Sequence, residues 1–179
     1  GELSVAAPPM RGLIKREPGR EATEFFSPEQ SVFGGGGHAA EVEVDVETGK
    51  IHVLRYVIVH DVGKAINPLI VDGQIVGGLS NGLGAALLEE IIHDENGQPL
   101  AATLADYLIP TAVEMPREIE IEHFNIPSPL NPLGIKGVGE SGVIPSMAVV
   151  ASAVQDALDN NVVPKESPLT PMKLWRLQV

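Results

Sequence analysis

From residue 39 to 46 the chain alternates, with Ala40, Val42, Val44 and Val46 on one side and Glu41, Glu43, Asp45 and Glu47 on the other. That is the period of a strand with one wet face. Thr48-Gly49-Lys50 reads as a tight turn, and the apolar-rich stretch 51–62 returns as a second strand, so an antiparallel hairpin is expected. A helix is expected over 69–89, because Asn67-Pro68 offers an N-cap followed by a proline suited to the first helical position. Each of Gly73, Gly77, Gly78, Gly82 and Gly84 should cost that helix about 1 kcal/mol relative to alanine, so a compensating contact is required. Gly73, Gly77 and Gly84 fall on one face, which would let another backbone or a flat ligand come close. Residues 89–93 read as a strand and Asp94 to Pro99 as a turn, while Pro110 excludes a long helix across the mixed stretch 103–114. Ile119 and Ile121 alternate with Glu118, Glu120 and Glu122 in a further strand. Apolar residues spaced three and four apart over 143–158 predict an amphipathic helix, with Pro145 tolerated in its first turn. Asp159-Asn160-Asn161 ends it, and Thr170-Pro171 caps a short helix to Trp175-Arg176, with Trp175 as a core anchor. The expected class is α+β, an antiparallel or mixed sheet packed against a glycine-rich helix and a C-terminal amphipathic helix.

Residues 1–32 are expected to be an irregular lead-in and 33–179 the folded domain. The run Gly34-Gly35-Gly36-Gly37 reads as a flexible entry to the first strand more readily than as a phosphate cradle, since no helix follows it. His38 and His52 share no ligand spacing and are expected to be structural or exposed. His60 and Asp61, adjacent on a strand, point to opposite faces, and Asp61 is expected to fix the following turn by accepting backbone N–H groups.

A net charge of -12 argues against nucleic acid and against an anionic membrane surface as partners. With no cysteine, the chain can form no disulfide and can ligate neither zinc nor an iron–sulfur cluster through thiolates. The most apolar window, 70–88, holds Asp72, Gln74, Ser80, Asn81 and glycines, and reads as a buried helix, not a membrane span. Gly1-Glu2-Leu3-Ser4 lacks the pattern of a signal peptide, and without an initiator Met a fragment or processed end is expected.

The densest chemistry lies in Asn131-Pro132-Leu133-Gly134-Ile135-Lys136-Gly137-Val138-Gly139-Glu140-Ser141-Gly142, just ahead of the apolar helix. A glycine-rich loop running into a helix presents unpaired N–H groups and suits an anionic ligand. Glu140 there is either a helix-start residue interacting with the helix dipole or a general base beside an anionic cofactor. Spacing alone leaves both open, because neither a dinucleotide nor a phosphate-loop pattern is complete.

This loop, with Pro127-Ser128-Pro129 before it, resembles the C-terminal active-site loop of the molybdenum hydroxylases, the family of xanthine dehydrogenase, aldehyde oxidase and aerobic carbon monoxide dehydrogenase large subunits. Three further stretches agree in order and approximate spacing: His38 to Asp45; His60-Asp61-Val62-Gly63 through Ile66-Asn67-Pro68; and Gly73-Gln74-Ile75-Val76-Gly77-Gly78 through Gly82-Leu83-Gly84. The resemblance implies part of a molybdopterin-binding lobe, with Glu140 as catalytic base. It also implies that Gln74 and the backbone of Lys136, Gly137, Val138 and Gly139 contact the cofactor. The family oxidises aldehydes, N-heterocycles or carbon monoxide with water as the oxygen source. Molybdopterin is the implied cofactor, with its cytosine dinucleotide form expected from bacterial relatives. A remaining molybdenum-binding lobe, an FAD subunit and a 2Fe-2S subunit are the implied partners in a cytoplasmic hetero-oligomer. No segment matches the glutamine-rich and arginine-bearing stretches of the preceding lobe, so the chain is not expected to be active alone. A noncatalytic assembly module of such a complex is the alternative.

Overall fold

The computed structural model describes residues 25, 30–158 and 163–178. The lead-in expected over 1–32 and the helix end expected at Asp159 to Asn161 lie almost wholly outside them. Three strands and three helices succeed one another: β1 (Gly35–Asp45), β2 (Lys50–Asp61), α1 (Pro68–Leu87), β3 (Glu118–Phe124), α2 (Ser146–Ala157) and α3 (Pro171–Gln178). The sheet order is β1-β2-β3. β1 pairs antiparallel with β2 through the hairpin turn, with an irregularity between Glu41 and Val42, and β3 runs parallel to β2. In the turn, the Asp45 carboxylate accepts the N–H of Glu47 at 2.9 Å, while Gly49 takes a left-handed φ of 73°.

The alternation sends Ala40, Val42 and Val44 of β1 and Ile119 and Ile121 of β3 toward the core, where Val53, Tyr56 and Ile58 of β2 are buried. α2 lies against β1 and α1 packs against α2. One apolar cluster joins Ile75, Leu79 and Leu83 of α1, Val150 and Val154 of α2, and Leu174 of α3 to the inner side of β2. Burial of this kind contributes about 1.5–3 kcal/mol for each large side chain. Among the described residues no helix is long and apolar enough to cross a membrane.

Four expectations are corrected. Residues 89–93 form no strand: the N–H groups of Leu88 and Glu89 both close back on the Gly84 carbonyl, and Ile91 and Ile92 are left exposed. The chain then makes a small loop, turned at Gly97 and closed by Leu100 N–H on the Ile92 carbonyl at 2.8 Å. α2 begins at Ser146, after a separate turn over 140–145, and Pro145, which has no N–H to donate, takes the position just ahead of it. On α3 the core anchor is Leu174, fully buried; Trp175, one step and about 100° further round the helix, is 46% exposed. The glycine face is also different. Gly73 and Gly77 look into open space, and Gly84 faces Glu89 and Pro110. Close backbone approach belongs instead to Gly78, against Gly142, while Gly82 makes room for the Ser146 side chain.

Hydrogen bonds between segments fix the long loop after β3. The Gly63 region crosses Gly134 as a single antiparallel bridge between Gly63 and Ile135, Gly63 and Gly134 having left-handed φ of 63° and 67°. The Lys136 N–H donates to the Val62 carbonyl at 2.9 Å and the Lys64 N–H to the Gly134 carbonyl at 2.9 Å. Asn131 closes the near end, its amide donating to the Ile135 carbonyl at 2.9 Å and accepting the Ile135 N–H at 3.0 Å. Asp61 ties the three segments together: one oxygen accepts the N–H groups of Gly63 at 2.8 Å and Ile126 at 3.2 Å, and the other accepts the Lys136 ammonium. Both members of that ion pair are largely withdrawn from solvent.

The glycine contacts set the sign of two substitutions. A methyl group at Gly142 would lie 2.0 Å from the Ile75 carbonyl oxygen and 2.6 Å from the Leu79 nitrogen, so Gly142→Ala should destabilise by about 1–3 kcal/mol. Gly73→Ala, with nothing within 4 Å and a better helix former in place, should stabilise by up to about 1 kcal/mol. Urea midpoints of the two variants check both signs. Burial pushes the Asp61 carboxyl upward, but the Lys136 ammonium and the N–H groups of Gly63 and Ile126 together outweigh it and leave its pKa below the ordinary value. A depressed folded pKa gives stability that is present above the unfolded value of about 3.9 and is lost as pH falls through the folded one. Between about pH 5 and about pH 2 the wild type should therefore lose more stability than Asp61→Asn, read as the pH dependence of the urea midpoint.

Candidate functional site

The turn that carries Glu140 is built from backbone. Ser141 N–H donates to the Val138 carbonyl at 3.0 Å, and the N–H groups of Val143 and Ile144 donate to the Glu140 carbonyl at 3.1 and 3.2 Å. Val138 turns inward against the core and anchors the bend. Among the described residues the N–H groups of Gly137, Val138, Gly139 and Glu140 make no backbone hydrogen bond, and space beside Gly137 and Gly139 is open. The Lys136 N–H is not among them, being committed to Val62, and its ammonium is committed to Asp61.

Glu140 is exposed and lies ahead of α2, whose first turn carries no acidic residue. Gln74 is also exposed, on α1 one turn before Gly78. A methyl group at Gly78 would lie 3.0 Å from the Gly142 Cα, so the turn crosses α1 one helical turn from Gln74. The bend that carries the open N–H groups and Glu140 thus rests on α1 one helical turn from Gln74, and the Lys136 side chain is committed to Asp61.

Beneath the turn lies a polar layer that the sequence did not disclose. His60 is buried, with Nε2 2.6 Å from the Ser141 hydroxyl oxygen and a backbone hydrogen bond to Gly137. Burial lowers its pKa, against the opposing effects of that bond and of Asp61. His38 stacks edge-on to Tyr56, with Nδ1 3.1 Å from the phenol oxygen. Its pKa is also lowered by burial, against a backbone hydrogen bond to Ser141. Tyr56 in turn bonds Ser146, whose hydroxyl donates to the Gly142 carbonyl at 2.6 Å. His123 Nε2 lies 2.7 Å from the Asp72 carboxylate on α1, while its buried Nδ1 has no partner among the described residues. No group of three or more such side chains is placed to hold a metal ion among the described residues.

Partners 81 residues apart, such as His60 and Ser141, leave no local period to read. The one available signal was the glycine run: a methyl group at Gly34 would lie 3.0 Å from His60 Nε2, and one at Gly36 2.8 Å from His60 Nδ1. β1 begins within the run, at Gly35, as expected, and its Gly34 and Gly36 also leave room for the buried imidazole.

The family model described as a molybdopterin cofactor-binding domain matches residues 4–116. The chain is 37% identical over 97% of its length to the 6-hydroxypseudooxynicotine dehydrogenase complex subunit gamma of Paenarthrobacter nicotinovorans, covering 22% of that protein. It is 38% identical over 89% of its length to the carbon monoxide dehydrogenase large chain of Hydrogenophaga pseudoflava, covering 20% of that protein. Among solved structures, quinoline 2-oxidoreductase from Pseudomonas putida 86 superposes with a TM-score of 0.78 and 48% identity, over 81% of this chain and 19% of that one. The chain spans about a fifth of the length of the relatives it matches. Fold, family model and relatives agree: the chain belongs to the molybdopterin cofactor-binding domain family found in the large subunits of the molybdenum hydroxylases.

Proposed function

We propose that this chain forms one side of the cofactor and base site of a molybdenum hydroxylase, with Glu140 as general base. The observation that carries the reading is the turn itself. It leaves the N–H groups of Gly137, Val138, Gly139 and Glu140 open beside a carboxylate, one helical turn from the exposed Gln74 amide. Consecutive donors fit the acceptor-rich pterin or phosphate edge of the cofactor, and an amide that both donates and accepts suits its heterocycle. The committed Lys136 N–H gives that residue a supporting part, holding the loop through Val62 and Asp61.

When bound, the molybdenum cofactor supplies the two-electron acceptor and the activation of water. Glu140 takes the proton released as oxygen is added to an electron-poor carbon, and passes it to solvent. The substrate is an aldehyde, an N-heterocycle or carbon monoxide, and the relatives above are named for 6-hydroxypseudooxynicotine, quinoline and carbon monoxide. The cofactor carries a cytosine dinucleotide, and electrons leave through 2Fe-2S and FAD centres on partner subunits, since no cysteine is available here to ligate a cluster. The remaining lobe covers the exposed apolar residues near the site, Leu69 and Ile70 of α1 and Ile144 and Met147 at the start of α2. The assembly is a cytoplasmic hetero-oligomer. A second reading, a noncatalytic assembly module, draws on the exposure of Glu140.

One variant separates the two. In the assembled enzyme, Glu140→Gln should retain molybdenum and pterin, measured by metal analysis and cofactor release, while turnover of the aldehyde, N-heterocycle or carbon monoxide falls about 10²–10⁴-fold. Full turnover with full cofactor content would leave only the assembly role.

A further inference from the structure

We infer that His60 is a positioning residue for the Glu140 turn: its buried imidazole holds Ser141, the residue directly after Glu140, and so fixes the side to which the open N–H groups and the carboxylate face. The kinetic part of this inference rests on the proposed role of Glu140; the structural part does not.

The bend needs such a device. Gly137 and Gly139 impose no steric preference, Glu140 is exposed, and the internal Ser141 to Val138 hydrogen bond closes only one small ring. Val138 anchors the middle of the bend by packing, and the Lys136 N–H on the Val62 carbonyl holds the chain before it. His60 holds the far side, its Nε2 2.6 Å from the Ser141 hydroxyl directly after Glu140, while its Nδ1 faces Gly36. Imidazole nitrogen and hydroxyl can each donate or accept, so the pair can be satisfied in either tautomer.

The imidazole is itself immobilised. Strand β1 lies so close over it that a methyl group at Gly34 or Gly36 would fall within 3.0 Å of a ring nitrogen. The backbone of β2 fixes it from below, and its neighbour Asp61 holds the start of the same loop through Lys136. His38, on β1 two residues beyond Gly36, adds a backbone hydrogen bond to Ser141 from the other side. Ser141 therefore meets the buried His60 imidazole and the half-buried His38 imidazole immediately after Glu140. A catalytic group on a glycine-flanked bend gains its geometry from such support, and small misplacements there are costly to turnover.

The test uses the assembled molybdenum enzyme with His60→Ala, His60→Gln, Ser141→Ala and the double variant His60→Ala/Ser141→Ala. Hydrogen exchange of the Ser141, Val143 and Ile144 amides reports the bend directly. In His60→Ala these amides should exchange about tenfold faster, and kcat should fall about tenfold or more with KM within about twofold. His60→Gln, which can still donate and accept, should recover part of both effects. The double variant should be little worse than either single one, because both remove the same contact. Unchanged exchange at these amides with kcat within about twofold of wild type would overturn the inference. If Glu140→Gln retains full turnover, the base reading fails by itself. The exchange rates in His60→Ala then decide: acceleration sustains the positioning role and its absence overturns it. Should His60→Ala fail to assemble, Ser141→Ala carries the same two outcomes.

Discussion

The Asp61 carboxylate is the constraint on which the region around the candidate site depends. A loop made largely of glycine and proline has no conformation of its own, and ordering each residue costs about 1–2 kcal/mol of backbone entropy. Asp61 opposes that cost at the one place where three segments meet: the end of β2, the exit from β3 and the loop leading to Glu140. An ion pair this far from solvent gains little by itself, since desolvation offsets much of the Coulomb attraction. Here the carboxylate also accepts two backbone N–H groups, so its lone pairs are satisfied and the pair specifies a geometry as well as an energy. Removing either partner would leave the other charge partly buried and unpaired.

Glycine placement then converts that anchored loop into a site. Gly78 and Gly142 allow the bend to rest directly on α1, backbone against backbone, and Gly82 admits Ser146 at the start of α2. Gly34 and Gly36 do the same for β1 over His60. In each case the missing Cβ is replaced by a hydrogen-bonding or packing group from another element, which compensates the entropic cost of glycine in a helix or strand. Among the described residues Gly73 and Gly77 have no such replacement. They lie either side of Gln74, on the part of α1 that would face the cofactor.

Much of the fold was legible because its signals were local. The β1–β2 hairpin followed from alternation and turn residues, α1 from the Asn67-Pro68 cap, whose side chain accepts the Ile70 N–H at 3.3 Å, and β3 from its own alternation. The expected turn-fixing role of Asp61 was also present. The failures were longer in range. The stretch 89–93 reads as a strand but joins no sheet, pairing only by a single bridge at His93 with Pro99 across the loop that follows it. The glycine face was assigned from helical phase alone, which gives which residues share a face and not which face meets a neighbour. Trp175 was placed inside by size, whereas the phase of α3 put Leu174 there. His60 and Ser141 were invisible as a pair, because sequence separation of that length carries no period. The Glu140 bend was found by resemblance, not by spacing, and the separate turn between it and α2 shows why: no helix start at Glu140 would have marked it.

The open N–H groups and the exposed carboxylate carry a consequence for how such a chain joins the rest of its subunit. In water each of these donors is solvated and costs nothing. Covered by another lobe without an acceptor, each would cost about 1–3 kcal/mol, and Glu140 would lose its hydration as well. Docking of a covering lobe onto the dry bend would therefore be opposed by several unsatisfied groups lying in sequence. An acceptor-rich ligand held between the two removes that penalty by pairing the donors while it fills the space beside Gly137 and Gly139. Under the proposed function, closing the site and occupying it would be a single thermodynamic event, with the cofactor as part of the interface. A carboxylate kept at the rim of that interface retains access to water, which a base must have if it is to release the proton it has taken.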